Sequence, residues 1–127
     1  MKAAILALAL SLNGANALSP KQDVRIDGQY CGRLWSNGAL VQTITEFKTE
    51  SGGRLTGTYQ FADVGAMTSG TLNEAAAGRG LDHTLDWQDK YGRGKLFITF
   101  KPDYSSFTGK WQDETGTPNE LWDGVRC

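Results

Sequence analysis

Histidine occurs once, cysteine twice and proline three times in this 127-residue chain, and each scarcity narrows what the protein does. The lone His83 has no evident serine or cysteine partner, so nucleophilic catalysis lacks its set of nucleophile, base and orienting group, and no enzyme is expected. Two thiols are too few for a structural zinc site, and His83 is the only imidazole to add to them; no metal is expected. Asp82 and Asp86 alternate to the wet side of an apolar segment, which fits a solvated face better than a catalytic carboxylate pair with Asp89. These acids also lack the glycine-centred loop of a calcium site. Gly92-x-Gly94 is a turn with no helix signal after it, so no phosphate cradle and no cofactor are expected.

Excess charge of either sign is missing too. Thirteen basic residues face fourteen acidic ones, and they are interleaved along the chain. A nucleic-acid partner needs a concentrated basic face and is not expected. Nor is there a basic amphipathic stretch for a membrane surface. The one apolar run, Ala3 to Leu12, falls short of the roughly 20 residues that cross a bilayer. With Lys2 before it and Ala15-Asn16-Ala17 after it, the run reads as a secretory signal cleaved after Ala17. No cysteine follows the run where a lipoprotein needs one, and no Asn-x-Ser/Thr sequon is present. The expected organisation is a signal over 1–17, an extended polar segment over 18–27 and one domain over 28–127, exported to the periplasm or secreted. Insertion into a membrane is not expected.

Glycine, by contrast, is plentiful, and it punctuates the chain. Turn signals stand at Asn37-Gly38, Ser51-Gly52-Gly53, Asp63-Val64-Gly65, Ala77-Gly78-Arg79-Gly80, Tyr91-Gly92-Arg93-Gly94, Lys101-Pro102-Asp103 and Thr115-Gly116-Thr117-Pro118. The segments between them alternate with period two. Leu81, His83, Leu85 and Trp87 share a face, as do Leu96, Ile98 and Phe100; Leu55, Gly57, Tyr59 and Phe61; and Phe107, Gly109 and Trp111. Glu74 to Arg79 holds three alanines but runs into glycines, and reads as a loop. Short strands at even spacing with one wet face predict an all-β fold: an eight-stranded antiparallel up-and-down β-barrel, which removes its own sheet edges by closing.

The cysteines agree with closure. In such a barrel the start of the first strand lies beside the end of the last, where Cys31 and Cys127 fall. With Tyr30, Gly32 and Leu34 inward on one strand and Trp122, Gly124 and Arg126 inward on the other, both cysteines point out. A disulfide between first and last strands is expected in an oxidising compartment. A sandwich with adjacent terminal strands satisfies the same pairing.

Gly53-Arg54-Leu55-Thr56-Gly57-Thr58-Tyr59 resembles the Leu-Thr-Gly-Thr-Tyr strand of avidin-like proteins. Trp87-Gln88-Asp89-Lys90-Tyr91 is similar to a strand end and turn of that family, and Ser106-Phe107-Thr108-Gly109-Lys110-Trp111 to a later strand. The resemblance implies a calycin-type barrel with an apolar pocket at one mouth, and puts Tyr59, Trp87 and Phe107 near a ligand. The first strand, Gln29 to Ser36, departs from the Asn and Ser pattern with which that family holds the ureido group of biotin, so biotin is not the expected ligand. Gly28-Gln29-Tyr30 with an inward Arg126 is similar to the lipocalin arrangement of an aromatic beneath a basic residue. The overall plan also resembles small periplasmic inhibitors of metalloproteases, which implies a protein partner engaged by 18–27.

The candidate ligand-binding residues are therefore Tyr59, Trp87, Phe107, His83, Trp111, Trp122 and Arg126. Tyr59 and Trp87 suit a pocket wall or a filled core equally, whereas Trp111 and Trp122 are read as core. His83 is either a ligand contact, pH-sensitive by its nature, or a core residue with satisfied nitrogens. Arg126 is expected to stack on Trp122 or Trp111 rather than to bind an anion. The function expected is binding of an apolar or aromatic small molecule in the barrel mouth. The alternative is a protein-binding module acting through 18–27 or the loops.

Overall fold

The computed structural model describes residues 25–127; the expected signal and the segment 18–24 lie outside them. Eight strands follow in order: β1 Gly28–Ser36, β2 Ala39–Thr49, β3 Leu55–Asp63, β4 Ala66–Asn73, β5 Asp82–Asp89, β6 Gly92–Phe100, β7 Ser106–Asp113 and β8 Pro118–Arg126. Each pairs antiparallel with the next, and β1 pairs with β8 from Tyr30↔Arg126 to Leu34↔Trp122, so the sheet is a closed barrel. Every turn signal in the sequence falls in or overlaps a connection, although Asp63 ends β3, Gly92 to Gly94 open β6 and Pro118 opens β8. Glu74 to Arg79 is a loop, as its glycines require.

The two ends of the barrel differ because their connections differ. At one end, here the mouth, three connections are two-residue hairpins: Asn37-Gly38, Val64-Gly65 and Lys90-Tyr91. Asn37 and Gly38 both take positive φ, 53° and 85°, the left-handed pair that matches the twist of the flanking strands. The β7–β8 connection also lies at the mouth. At the other end the three longer connections, together with residues 25–27, cover the barrel.

Interior filling follows the same polarity. Tyr30, Phe47, Phe100 and Phe107 are fully buried at the covered end and meet mostly edge to face, with ring centroids 5.4–5.9 Å apart. Leu55, Leu72, Leu85, Leu96 and Ile98 continue the core along the barrel. Cys31 and Cys127 form a disulfide, Cα–Cα 5.7 Å, that joins the first strand to the end of the last at the covered end. Among the described residues no helix is long and apolar enough to cross a membrane.

Candidate functional site

Toward the mouth the inward side chains stop filling the barrel. Leu34, Tyr59, Phe61, Trp87, Trp111 and Trp122 surround a cavity of about 500 Å³ that opens between the hairpins. Its rim carries Ser36, Asn37, Asp63, Val64, Asp89, Lys90 and Tyr91. The volume lies in the range of small-molecule sites, and walls of aromatic rings with a few polar groups are the usual lining.

Period-two alternation sets these residues in place. Tyr59, Phe61 and Asp63 are successive inward positions of β3, and Trp87 and Asp89 are the last two of β5. Trp122 meets Tyr59 edge to face at 4.7 Å, and Trp87 meets Trp111 at 5.4 Å with planes 89° apart. Tyr59 stacks along Phe61 at 6.2 Å.

Each indole N–H is anchored away from the cavity. Trp87 Nε1 donates to the Gln112 carbonyl at 2.9 Å, beside an irregularity in the β7–β8 ladder. Trp111 Nε1 donates to the Trp35 carbonyl and Trp122 Nε1 to Thr45 Oγ1, both at 3.0 Å. These bonds fix the ring planes, so the walls are set before any ligand arrives.

The polar rim is built from two tyrosine–aspartate pairs. Tyr59 OH donates to Asp89 Oδ2 at 2.6 Å, and Asp89 Oδ1 accepts the Tyr91 N–H at 2.8 Å. Tyr91 OH donates to Asp63 Oδ2 at 2.5 Å, joined there by Thr68 Oγ1 at 2.7 Å, while Asp63 Oδ1 accepts the Val64 N–H. Burial, reinforced by the hydrogen bond to Asp89 and its charge, pushes the Tyr59 phenol far above the ordinary tyrosine range. The Tyr91 hydroxyl, then the Thr68 hydroxyl and the Val64 N–H, hold Asp63 below the usual carboxylate range. Tyr91 is raised in turn, first by its bond to Asp63.

Of the residues singled out from sequence, Tyr59, Trp87, Trp111 and Trp122 come together at this cavity. Phe107, His83 and Arg126 do not line it and sit toward the covered end. Phe107 belongs to the aromatic cluster there. His83 is buried, and its Nδ1 lies 2.7 Å from Oε2 of the equally buried Glu74. Glu74 Oε1 also accepts the Leu55 N–H at 2.9 Å, so the pair ties the β4–β5 loop to the start of β3.

The expected stacking of Arg126 on Trp122 or Trp111 is corrected: its guanidinium carbon lies 4.7 Å over the ring of Tyr30. The reason is register. Tyr30 is directly opposite Arg126, whereas both tryptophans lie further along toward the mouth. Its nitrogens donate to the carbonyls of Arg25, Asp27 and Tyr104 and to Tyr30 OH, which compensates the charge without a carboxylate.

Asp63, Asp89, Tyr91 and Glu74 were not reached as site or core residues from sequence. For Asp63 and Asp89 a signal existed: each continues the inward alternation of its strand by one further step. Among the described residues no group of three or more histidine, cysteine or acidic side chains converges as a metal site. Comparison with protein-family models, curated proteins and solved structures finds no match to this chain.

Proposed function

We propose that this protein binds an apolar or aromatic small molecule in the mouth of its barrel. The observation that carries the reading is a pre-shaped cavity of about 500 Å³ with tryptophan and tyrosine walls at one end, while the other end is filled. Wall rings already tied to backbone and side-chain acceptors lose little freedom on binding, and preorganisation of this kind converts contact into affinity. The pocket and the motifs around Tyr59, Trp87 and Phe107 support an avidin-like calycin relationship in which the ligand differs from biotin. Arg126 over Tyr30 supports a lipocalin-like one. The disulfide supports an oxidising compartment, secreted or periplasmic. No catalytic role is assigned.

The test is native mass spectrometry of the protein purified gently from its source compartment. A retained mass of a few hundred daltons, released by denaturation and lost in Trp87→Ala, is the expected result. If Trp87→Ala and Tyr59→Ala leave all binding intact, the pocket is not the site.

A second reading, a protein-binding module such as a protease inhibitor, draws on exposed apolar side chains at the rim, chiefly Val64 and Tyr91. It also draws on the segment 18–27, whose described part, residues 25–27, is held by Arg126 at the end opposite the mouth. Deleting residues 18–27 separates the two readings: a pocket ligand is retained, and an inhibitor of that design loses its activity.

A further inference from the structure

The polar groups of the mouth are unequal in kind. Its donors are largely spent: the three indole N–H groups, the Tyr59 and Tyr91 hydroxyls and the Tyr91 N–H all have acceptors within the protein. Its acceptors are not. An ionised carboxylate has about four lone-pair sites. Asp89 receives two hydrogen bonds and Asp63 three, and each tyrosine oxygen that donates is still able to accept. The donors left on the lining are Ser36, Asn37 and Lys90 at the rim.

Charge points the same way. Two carboxylates, Asp63 and Asp89, face one ammonium, Lys90, so the lining carries one net negative charge. Lys90 is mostly exposed, 3.9 Å from Asp63 Oδ2 and 5.2 Å from the centre of the Tyr91 ring. The nearby Arg93 and Glu114 pair with each other and add nothing net. Beneath the carboxylates lie the faces and edges of Tyr59, Phe61, Trp87, Trp111 and Trp122, and aromatic faces attract cations through their quadrupole. Acceptors in surplus, donors consumed, negative charge and aromatic walls together describe a complement to one chemistry.

We propose that the mouth selects a cationic ligand: an ammonium group carried on an aromatic or alkyl body. The nitrogen sits against Asp89 and Asp63, and the body lies among the tryptophans. The proposal rests on the mouth being a ligand pocket and adds the sign of the ligand's charge. An anion meets two carboxylates there, and a neutral molecule leaves their remaining lone pairs unmatched.

Three probes on one skeleton isolate the charge: 3-phenylpropylammonium, 3-phenylpropan-1-ol and 3-phenylpropanoate, titrated into the ligand-free disulfide-bonded protein at neutral pH and low salt, with tryptophan emission as the signal. The expected order is ammonium, then alcohol, then carboxylate, with the ammonium favoured by about tenfold or more over the alcohol and the preference shrinking as salt is added. Asp89→Asn and Asp63→Asn each weaken the ammonium more than the alcohol and so reduce the preference, and Asp89→Glu keeps it. Lys90→Ala, at an exposed position, enlarges it without touching a buried contact. If the alcohol binds as tightly as the ammonium, or the carboxylate binds best, the proposal is overturned and the pocket reading survives. If no probe binds, both fall.

Discussion

The Cys31–Cys127 disulfide is the covalent seam of the barrel, and its contribution is calculable from chain length alone. The cysteines are 96 residues apart, so the bridge closes nearly the whole described chain into a loop. Restricting a denatured loop of that size removes entropy worth about 4.7 kcal/mol at 25 °C in the chain-closure account. Cys31 and Cys127 are both exposed, so replacing them with alanine opens no cavity and leaves the loop term alone to change. The five β1–β8 residue pairs and the Cys127 N–H bond to the Gln29 carbonyl remain to hold the seam in the folded variant. A domain of this size has a total stability of about 5–15 kcal/mol, so the double variant should be marginal but folded. Urea denaturation at 25 °C of the oxidised protein and of Cys31→Ala/Cys127→Ala should differ by 3–5 kcal/mol on this account. The bridge lies at the covered end, so the folded variant should keep the affinity of the mouth for any ligand. A loss below about 1 kcal/mol, with the bridge verified in the wild type by mass, would refute the entropic reasoning. A loss of affinity in the folded variant would refute the independence of the two ends.

Gly70→Ala should disturb the site from outside the cavity: a Cβ there overlaps the ring and hydroxyl of Tyr59 and approaches the Gln88 carbonyl. The expected cost is about 1–3 kcal/mol by thermal or urea unfolding, with a change in tryptophan emission as Tyr59 turns against Trp122. Tyr59 is raised well above its ordinary value of 10.0 chiefly by burial. A raised group favours the fold below its unfolded value and loses that advantage as pH climbs past it. Stability should therefore fall above about pH 10 by ~1.4 kcal/mol per pH unit for this one proton, and Tyr59→Phe should remove that slope in alkaline unfolding curves. Glu74→Ala leaves the Leu55 N–H and His83 Nδ1 without their partner in a buried place, and should cost about 3–5 kcal/mol in urea unfolding; Glu74→Gln, whose amide oxygen still accepts the Leu55 N–H, should cost less.

The barrel was legible in sequence because two signals agreed. Turn signals, glycine-centred at all but the Lys101-Pro102-Asp103 connection, marked each true connection, and period-two alternation placed Leu85, Leu96, Ile98, Phe100 and Phe107 inward, where all are buried. The cysteines made neighbouring terminal strands legible, which fits a closed barrel and a sandwich alike; the β1–β8 ladder decides for closure. What alternation does not encode is depth along the barrel. His83 and Trp87 share one face of β5 in the sequence, yet one packs against Glu74 at the covered end and the other lines the mouth. Phe107 and Trp111 are divided in the same way on β7. Their separation follows from strand direction combined with which connections are short, and both facts were present in the sequence as the spacing of the turns.

Strand direction also explains why the acidic rim escaped notice. Asp63 and Asp89 end strands that run toward the mouth, and each stands beside a two-residue hairpin. A carboxylate in that position ordinarily serves the turn, and both do: Asp63 accepts the Val64 N–H, and Asp89 accepts the Tyr91 N–H. Turn chemistry alone leaves the second oxygen of each carboxylate to water. Here those oxygens instead take Tyr91 OH and Tyr59 OH, which draws the carboxylates over the aromatic walls and spends the hydroxyl protons in doing so. One arrangement thus closes the hairpins, holds Tyr59 against Trp122, and leaves the mouth rich in acceptors. The charge preference expected of the ligand is a consequence of how the rim folds, so a variant that alters one should alter the other.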